Sequence, residues 1–206
     1  FNEVSTNVET WFGTRGISKQ TLKDLQVTEG PEWMPQTSKQ ENTIQFNYFM
    51  GDQLINVKYR DGRKNFKLYK GAEKVFYNIN SIVGYDECVI VEGEMDVLAL
   101  HEAGIKNVIS VPNGATLNSN NLDYLDNCID YFEDKAKIIL AVDADEPGQA
   151  LKQEFIRRLG AEVCYTVDFA DCKDANDYLI EHTAEMLRSA IPVSYTHLTL
   201  PTKRIV

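Results

Sequence analysis

Residues 140–148, Leu-Ala-Val-Asp-Ala-Asp-Glu-Pro-Gly, end an apolar stretch in three acids, Asp143, Asp145 and Glu146. Aspartates two apart on an extended segment point the same way, so Asp143 and Asp145 can face one ion. A second acidic set, Glu92, Glu94 and Asp96, follows the apolar run Cys-Val-Ile-Val at 88–91. A third, Asp168 and then Asp174 and Asp177 around Lys173, follows Glu-Val-Cys-Tyr-Thr-Val at 162–167. Clustered carboxylates repel one another, and a hard divalent cation offsets that repulsion. Mg2+ keeps several waters and bridges one or two carboxylates to substrate phosphates. The chemistry suggested is metal-assisted work on phosphate groups. Each piece also has an ordinary reading. Asp-Ala-Asp-Glu-Pro before a helix can be a capping, dipole-matching turn. Glu92-Gly93 can be a plain strand-to-helix turn. Glu94 and Asp96 can decorate a helix N-terminus, and residues 172–177 can be a polar loop. The joint pattern is far more specific, because it recurs after three different apolar runs.

Those runs define the elements that must hold the acids. From residue 84 onward, short apolar runs alternate with helical periodicity. Strands are predicted at 88–92, 107–112, 137–142 and 162–169, with helices at 95–104, 121–134, 149–160 and 175–191. Such alternation implies parallel strands with right-handed crossovers. In such a sheet the loops leaving the C-terminal strand ends share one crevice. Pro112, Asn113, Gly114 and Thr116 should join the acids there. Ahead of this unit, residues 1–27 read as helical, with Ser18 as a cap and Leu22 and Leu25 on one side. Two prolines and many polar residues mark 30–42 as a loop. Residues 43–50 and 54–60 alternate as a hairpin, and 65–69 extends that sheet.

The totals set limits. The chain has 206 residues, 43% of them hydrophobic, and a formal net charge of −10. That charge argues against a broad, charge-driven nucleic-acid binder but allows a local basic track. No apolar window is long enough to span a bilayer. The four cysteines, Cys88, Cys128, Cys164 and Cys172, contain no Cys-x-x-Cys pair, so no zinc site is expected within this chain. Cys88 and Cys164 lie in apolar runs and read as buried thiols of a reduced, cytosolic protein. The chain starts without a Met or a leader pattern and reads as a piece of a longer protein.

Together, "VIVEGEMDVLAL", "VPNGAT", "LAVDADEPGQAL" and "CKDANDYL" resemble, in order and spacing, a TOPRIM domain. That is the metal-binding fold of bacterial-type primases, type IA and II topoisomerases and some nucleases. The resemblance covers residues 84–182 and places the family's acids on Glu92, Asp143 and Asp145. The "CKDAND" stretch resembles phage primase–helicases and Twinkle-type proteins, which adds Asp174 as an outer or additional ligand. The stretches "TRGISKQTLKDLQV" and "VKYRDGRKNFKLYKGAEKVFYN" resemble the N-terminal part of a primase core. The second of these interleaves Lys58, Arg60, Arg63, Lys64, Lys67, Lys70 and Lys74 with Tyr59, Phe66, Tyr69 and Phe76. Alone it would read as a solvated hairpin face. Beside an acidic seat it reads as a phosphate-contacting track. Arg60, Lys64 and Lys67 lead the nucleotide- and DNA-binding candidates, with Lys70 and Lys173 behind them.

The resemblance implies an α/β TOPRIM domain, with a four-stranded mostly parallel sheet flanked by helices. A small α+β primase subdomain would precede it. The divisions are 1–82, 83–191 and a tail at 192–206 that resembles adapter read-through and is set aside. The implied activity is RNA primer synthesis on single-stranded DNA from ribonucleoside triphosphates, by Mg2+- or Mn2+-dependent nucleotidyl transfer. Glu92 would be a metal ligand or the proton acceptor. A replicative helicase domain or subunit would be the partner, in the cytoplasm of a bacterial or phage-infected cell, with no membrane. Neither an upstream zinc module nor a helicase P-loop occurs in this sequence. The alternatives are a non-catalytic module that supports a helicase, and a TOPRIM nuclease.

Overall fold

The computed structural model describes residues 3–114, 122–167, 172–182, 184–186, 188–189 and 196–197. Thr116 and Asp168 lie outside the described residues, as does most of 192–206. The helical N-terminus is two short helices, α1 (Thr6–Gly13) and α2 (Lys19–Asp24). The Ser5 hydroxyl accepts the Val8 N–H, and the Ser18 hydroxyl accepts the Thr21 N–H, so each helix starts on a serine cap. Gly16, at φ +74°, turns the chain between them, a backbone state that favours glycine.

Four antiparallel strands follow in the order β1-β2-β3-β4: β1 (Thr28–Met34), β2 (Lys39–Met50), β3 (Gln53–Asp61) and β4 (Phe66–Leu68). The predicted loop at 30–42 is therefore wrong. Most of it is β1 and the start of β2, paired from Thr28–Gln45 to Met34–Lys39. Composition misled because β1 is an edge strand, where a proline such as Pro31 need not break a ladder bond. The sheet curls until its edges meet. The Lys67 ammonium lies 2.5 Å from Glu32 and 2.6 Å from the Trp33 carbonyl, and Gln36 donates to the Phe66 carbonyl at 2.8 Å.

After a 3-10 turn at Ile79–Ile82 the pairing becomes parallel. The elements are β5 (Glu87–Val91), α3 (Glu94–Glu102), β6 (Val108–Ser110), α4 (Asp123–Asn127), β7 (Lys137–Leu140), α5 (Glu146–Leu159), β8 (Cys164–Thr166) and α6 (Ala175–Glu181). Strand order is β6-β5-β7-β8, all parallel, with β9 (Thr196–His197) antiparallel on β8. The segment set aside at 192–206 thus supplies one short strand. The single helix expected at 121–134 divides at Cys128 into α4 and a 3-10 turn at Ile129–Phe132. Helix α5 starts three residues earlier than its periodicity implied, with Asp145 as cap and Pro147 in its first turn.

One hydrophobic core runs through both sheets, from Phe12, Phe46 and Tyr48 to Phe76, Ile90 and Phe155. Phe76 packs on Tyr124, Phe132 and Phe155, with ring centroids 5.0, 5.6 and 6.2 Å away. Each fully buried side chain of this size contributes about 1.5–3 kcal/mol. The sheets are also stitched by backbone: Tyr77 and Ser110 exchange hydrogen bonds at 2.8 and 3.3 Å. Asn78 and Ser81 both donate to the Val108 carbonyl. This seam fixes the segment that links the two sheets against β6.

Candidate metal and phosphate site

Three crossover connections carry the site. Strand β5 is apolar along its buried length, Cys88–Val91, and the next residue, Glu92, emerges at the rim. Helix α3 starts two residues later and buries both Glu94 and Asp96 in its first turn. Strand β7 ends likewise, and Asp143 follows two residues after Ala141. The turn before α6 supplies Lys173 and Asp174.

Oxygens of Asp96, Asp143 and Asp174 all lie within 4.8 Å of one another. Asp96 is 6% exposed and accepts the Asn176 N–H at 3.0 Å. Burial, then the charge of Asp174, raises its pKa well above the usual carboxylate value. Asp143 is raised for the same two reasons in the same order. The Lys173 ammonium lies 3.6 Å from Asp143, which raises the lysine's pKa. One mostly exposed ammonium against three carboxylates leaves excess negative charge. An all-oxygen donor set with that excess fits a hard divalent cation such as Mg2+ or Mn2+.

The sequence candidates fall in different places. Glu92 lies beside the cluster and accepts the Asp143 N–H at 3.0 Å. Asp145 is exposed and caps α5, accepting the Gly148 N–H at 2.9 Å. It stands outside the three-aspartate group, yet its charge is near enough to help raise the Asp143 and Lys173 pKa values. Asp174 also caps its helix, accepting the Asp177 N–H at 2.9 Å. Asp96, which the sequence places among the rim acids but which could equally have decorated a helix N-terminus, belongs to the cluster. Its signal was in the sequence: a helix whose next four residues, Val97 to Leu100, are all apolar must bury its first turn.

The basic strip forms the facing wall. A cleft of about 670 Å³ is lined by Lys58, Phe66 and Lys67 on the antiparallel sheet and by Glu92, Asp96, Asp143 and Asp174 on the rim. Lys58 was not among the leading candidates. Its ammonium lies 2.9 Å from Glu94, which also accepts the Tyr48 hydroxyl, so one buried carboxylate joins helix α3 to the antiparallel sheet. Lys67 lines the cleft while bound to Glu32. Arg60 lies over the Trp11 ring at 4.4 Å, and Arg15 lies over the same ring at 3.8 Å. Burial, then the neighbouring Arg15, lowers the Arg60 pKa. Lys64 is exposed on the β3–β4 turn with φ +65°. Lys70 faces a different hollow, with Tyr59 and Tyr69. The strip therefore splits: Lys58 and Lys67 reach the cleft, Arg60 sits on Trp11, and Lys70 points elsewhere.

Comparison with known proteins agrees with this geometry. Residues 89–179 match the family model described as Toprim-like. Over that span the chain is similar to Toprim-like domains, and it resembles TOPRIM primases. Two Arabidopsis thaliana proteins are similar to 89% of it: a primase homolog protein at 35% identity and a chloroplastic/mitochondrial Twinkle homolog at 33%. The chain spans 58% and 28% of their lengths. The fold is similar to that of the primase fragment of the bacteriophage T7 primase-helicase. That match has a TM-score of 0.69 at 24% identity and covers 91% of this chain and 72% of the other. The RNA polymerase domain of the Mycobacterium tuberculosis primase gives a TM-score of 0.73 at 14% identity, over 93% of this chain and 74% of the other. The Toprim-like match takes in Glu92, Asp96, Asp143 and Asp174. Among the described residues no helix is long and apolar enough to cross a membrane.

Proposed function

We propose that this chain is the catalytic core of a DNA primase that makes RNA primers on single-stranded DNA and works beside a replicative helicase. The observation that carries the reading is the cleft, with three carboxylates on one wall and lysines on the other. Residues 1–82 would be the primase-type N-terminal unit and 83–191 the TOPRIM unit. In the reaction, a ribonucleotide 3′-hydroxyl attacks the α-phosphate of the next nucleoside triphosphate and pyrophosphate leaves. Asp96, Asp143 and Asp174 would hold the cation, with Glu92 and Asp145 close by. When bound, Mg2+ would offset the charge that develops on the phosphates.

The chain's own groups do the rest. Lys58, Lys67 and Lys173 face the space a triphosphate would fill and would bind its oxygens as point charges. Glu92, with its backbone contact to Asp143, is positioned to ligate or to take the proton of the attacking hydroxyl. Arg60 and Lys64 would meet the template backbone. Such contacts position a strand without reading its sequence.

The test incubates the chain with single-stranded DNA, Mg2+, labelled ribonucleotides and a short RNA primer, beside Asp143→Asn and Asp96→Asn variants. Extension or new oligoribonucleotides from the parent alone support primase activity. Shortened DNA would assign a nuclease. Equal DNA binding by all three proteins, with no product, would assign a non-catalytic module.

A further inference from the structure

A second group of donors lies in the α6 segment. Cys172 Sγ, a Glu181 carboxylate oxygen and a His182 ring nitrogen all lie within 4.8 Å of one another. None of them belongs to the three-aspartate cluster. Cys172 is buried, and its thiol donates to Glu181 at 3.4 Å. His182 follows the last residue of α6, and its ring packs on Tyr178 with centroids 4.3 Å apart. That stacking limits where the imidazole can turn.

We propose that Cys172, Glu181 and His182 bind a zinc ion. The donors are one sulfur, one oxygen and one nitrogen, a set that suits Zn2+ and suits Mg2+ poorly. Ordinary Zn–S and Zn–O bonds at a tetrahedral angle set sulfur and oxygen about 3.6 Å apart. The thiol and carboxylate already stand at nearly that separation, so the ion needs little rearrangement. Binding exchanges one proton for one metal: the thiol proton leaves to solvent, and thiolate, carboxylate and neutral imidazole together balance the 2+ charge. Water completes the fourth position, on the side where Glu181 is exposed. The Cys-x8-Glu-His spacing matches no zinc-finger pattern, which is why the cysteine spacing alone predicted no zinc.

The site has a structural consequence. Cys172 directly precedes Lys173 and Asp174, and Glu181 and His182 close the helix that those residues open. Zinc here would tie the start of this segment to its end and hold Lys173 and Asp174 at the rim.

Cobalt(II) is the probe, because a cobalt–thiolate bond gives a near-ultraviolet charge-transfer band that oxygen ligands do not. The chelator-treated chain should bind one equivalent of Co2+ with that band and intense tetrahedral visible bands, and Zn2+ should bleach both. Cys172→Ser should remove the charge-transfer band, and His182→Ala should weaken Co2+ binding at least tenfold. Asp143→Asn with Asp174→Asn should leave the band intact, which separates this site from the proposed magnesium site. Circular dichroism checks that each variant folds. No band in the parent, or a band that persists in folded Cys172→Ser, overturns the proposal. If Cys172→Ser does not fold, the His182→Ala titration decides: unchanged affinity overturns it.

Discussion

Asp96→Asn should make the metal-free chain more stable while removing its response to magnesium. The reasoning starts from the cluster, where the three carboxylates lie within 4.8 Å of one another. Two full charges at that distance repel by about 3.5 kcal/mol at an effective dielectric of roughly 20. The folded protein avoids part of this by protonation, since burial and Asp174 hold the Asp96 pKa high. The net relief should therefore be smaller, about 1–2 kcal/mol at pH 8, which raises Tm by roughly 2–8 °C for a chain of this size. Asparagine keeps an oxygen to accept the Asn176 N–H, so that contact survives the change. The pH dependence has a defined sign. A folded pKa above the unfolded one means that stability is fully present below the unfolded pKa and is lost as pH rises through the folded one. The metal-free parent should weaken across that interval, from the ordinary aspartate range upward, and Asp96→Asn should weaken less. Mg2+ at about 100 times its Kd should return roughly 2.7 kcal/mol to the parent and little to the variant. Thermal melts in chelator and in Mg2+, at several pH values, read all of this. Lower stability in Asp96→Asn, or equal Mg2+ stabilisation of both proteins, would refute the cluster argument.

The other expectations concern the frame around the cluster. Lys58→Met should cost about 3–5 kcal/mol in urea unfolding, because it leaves Glu94 buried without its cation, and adding Glu94→Gln should recover most of that. Gly148→Ala should lose at least about 2 kcal/mol and weaken Mg2+ binding. Its new Cβ would collide with the Asp143 carbonyl and sit 2.7 Å from a Glu92 oxygen. Asp61 accepts the Arg63 and Asn65 N–H groups at 2.9 Å. Burial pushes its pKa up, but hydrogen bonds from Asn65 and Arg63 prevail and leave it lowered. Stability from Asp61 should thus be present above the unfolded carboxylate pKa and fade as pH falls through the folded one. Asp61→Ala should cost about 2–3 kcal/mol at pH 7 and flatten the acid limb of the unfolding curve.

What the sequence revealed followed from local rules. The parallel strands were legible because Cys88–Val91 and Ile138–Leu140 are short, wholly apolar runs between helical repeats. Their order, β6-β5-β7-β8, was not, because adjacency in a sheet depends on contacts between distant segments. Strand β1 was hidden by Pro31 and Pro35, whose meaning depends on the strand being an edge. At the site, the three acidic loops were visible, but which acid faces which was not. Asp145 reads like Asp143 on paper, yet it lies outside the three-aspartate group, and Asp96 enters the cluster from a helix. The basic strip shows the same limit. Lys58, Lys67 and Lys70 differ little in composition, and only the curl of the sheet separates a cleft lysine from an outward one.

The buried meeting of Tyr48, Lys58 and Glu94 has a mechanical meaning. These three side chains act as a fixed spacer between the two halves of the molecule, so the width of the cleft is set by their lengths. Shortening Glu94 to aspartate, one methylene less, should draw the lysine wall toward the acids or release it. Either change would alter which phosphate chain length the proposed site accepts, through the position of Lys58 rather than through the acids.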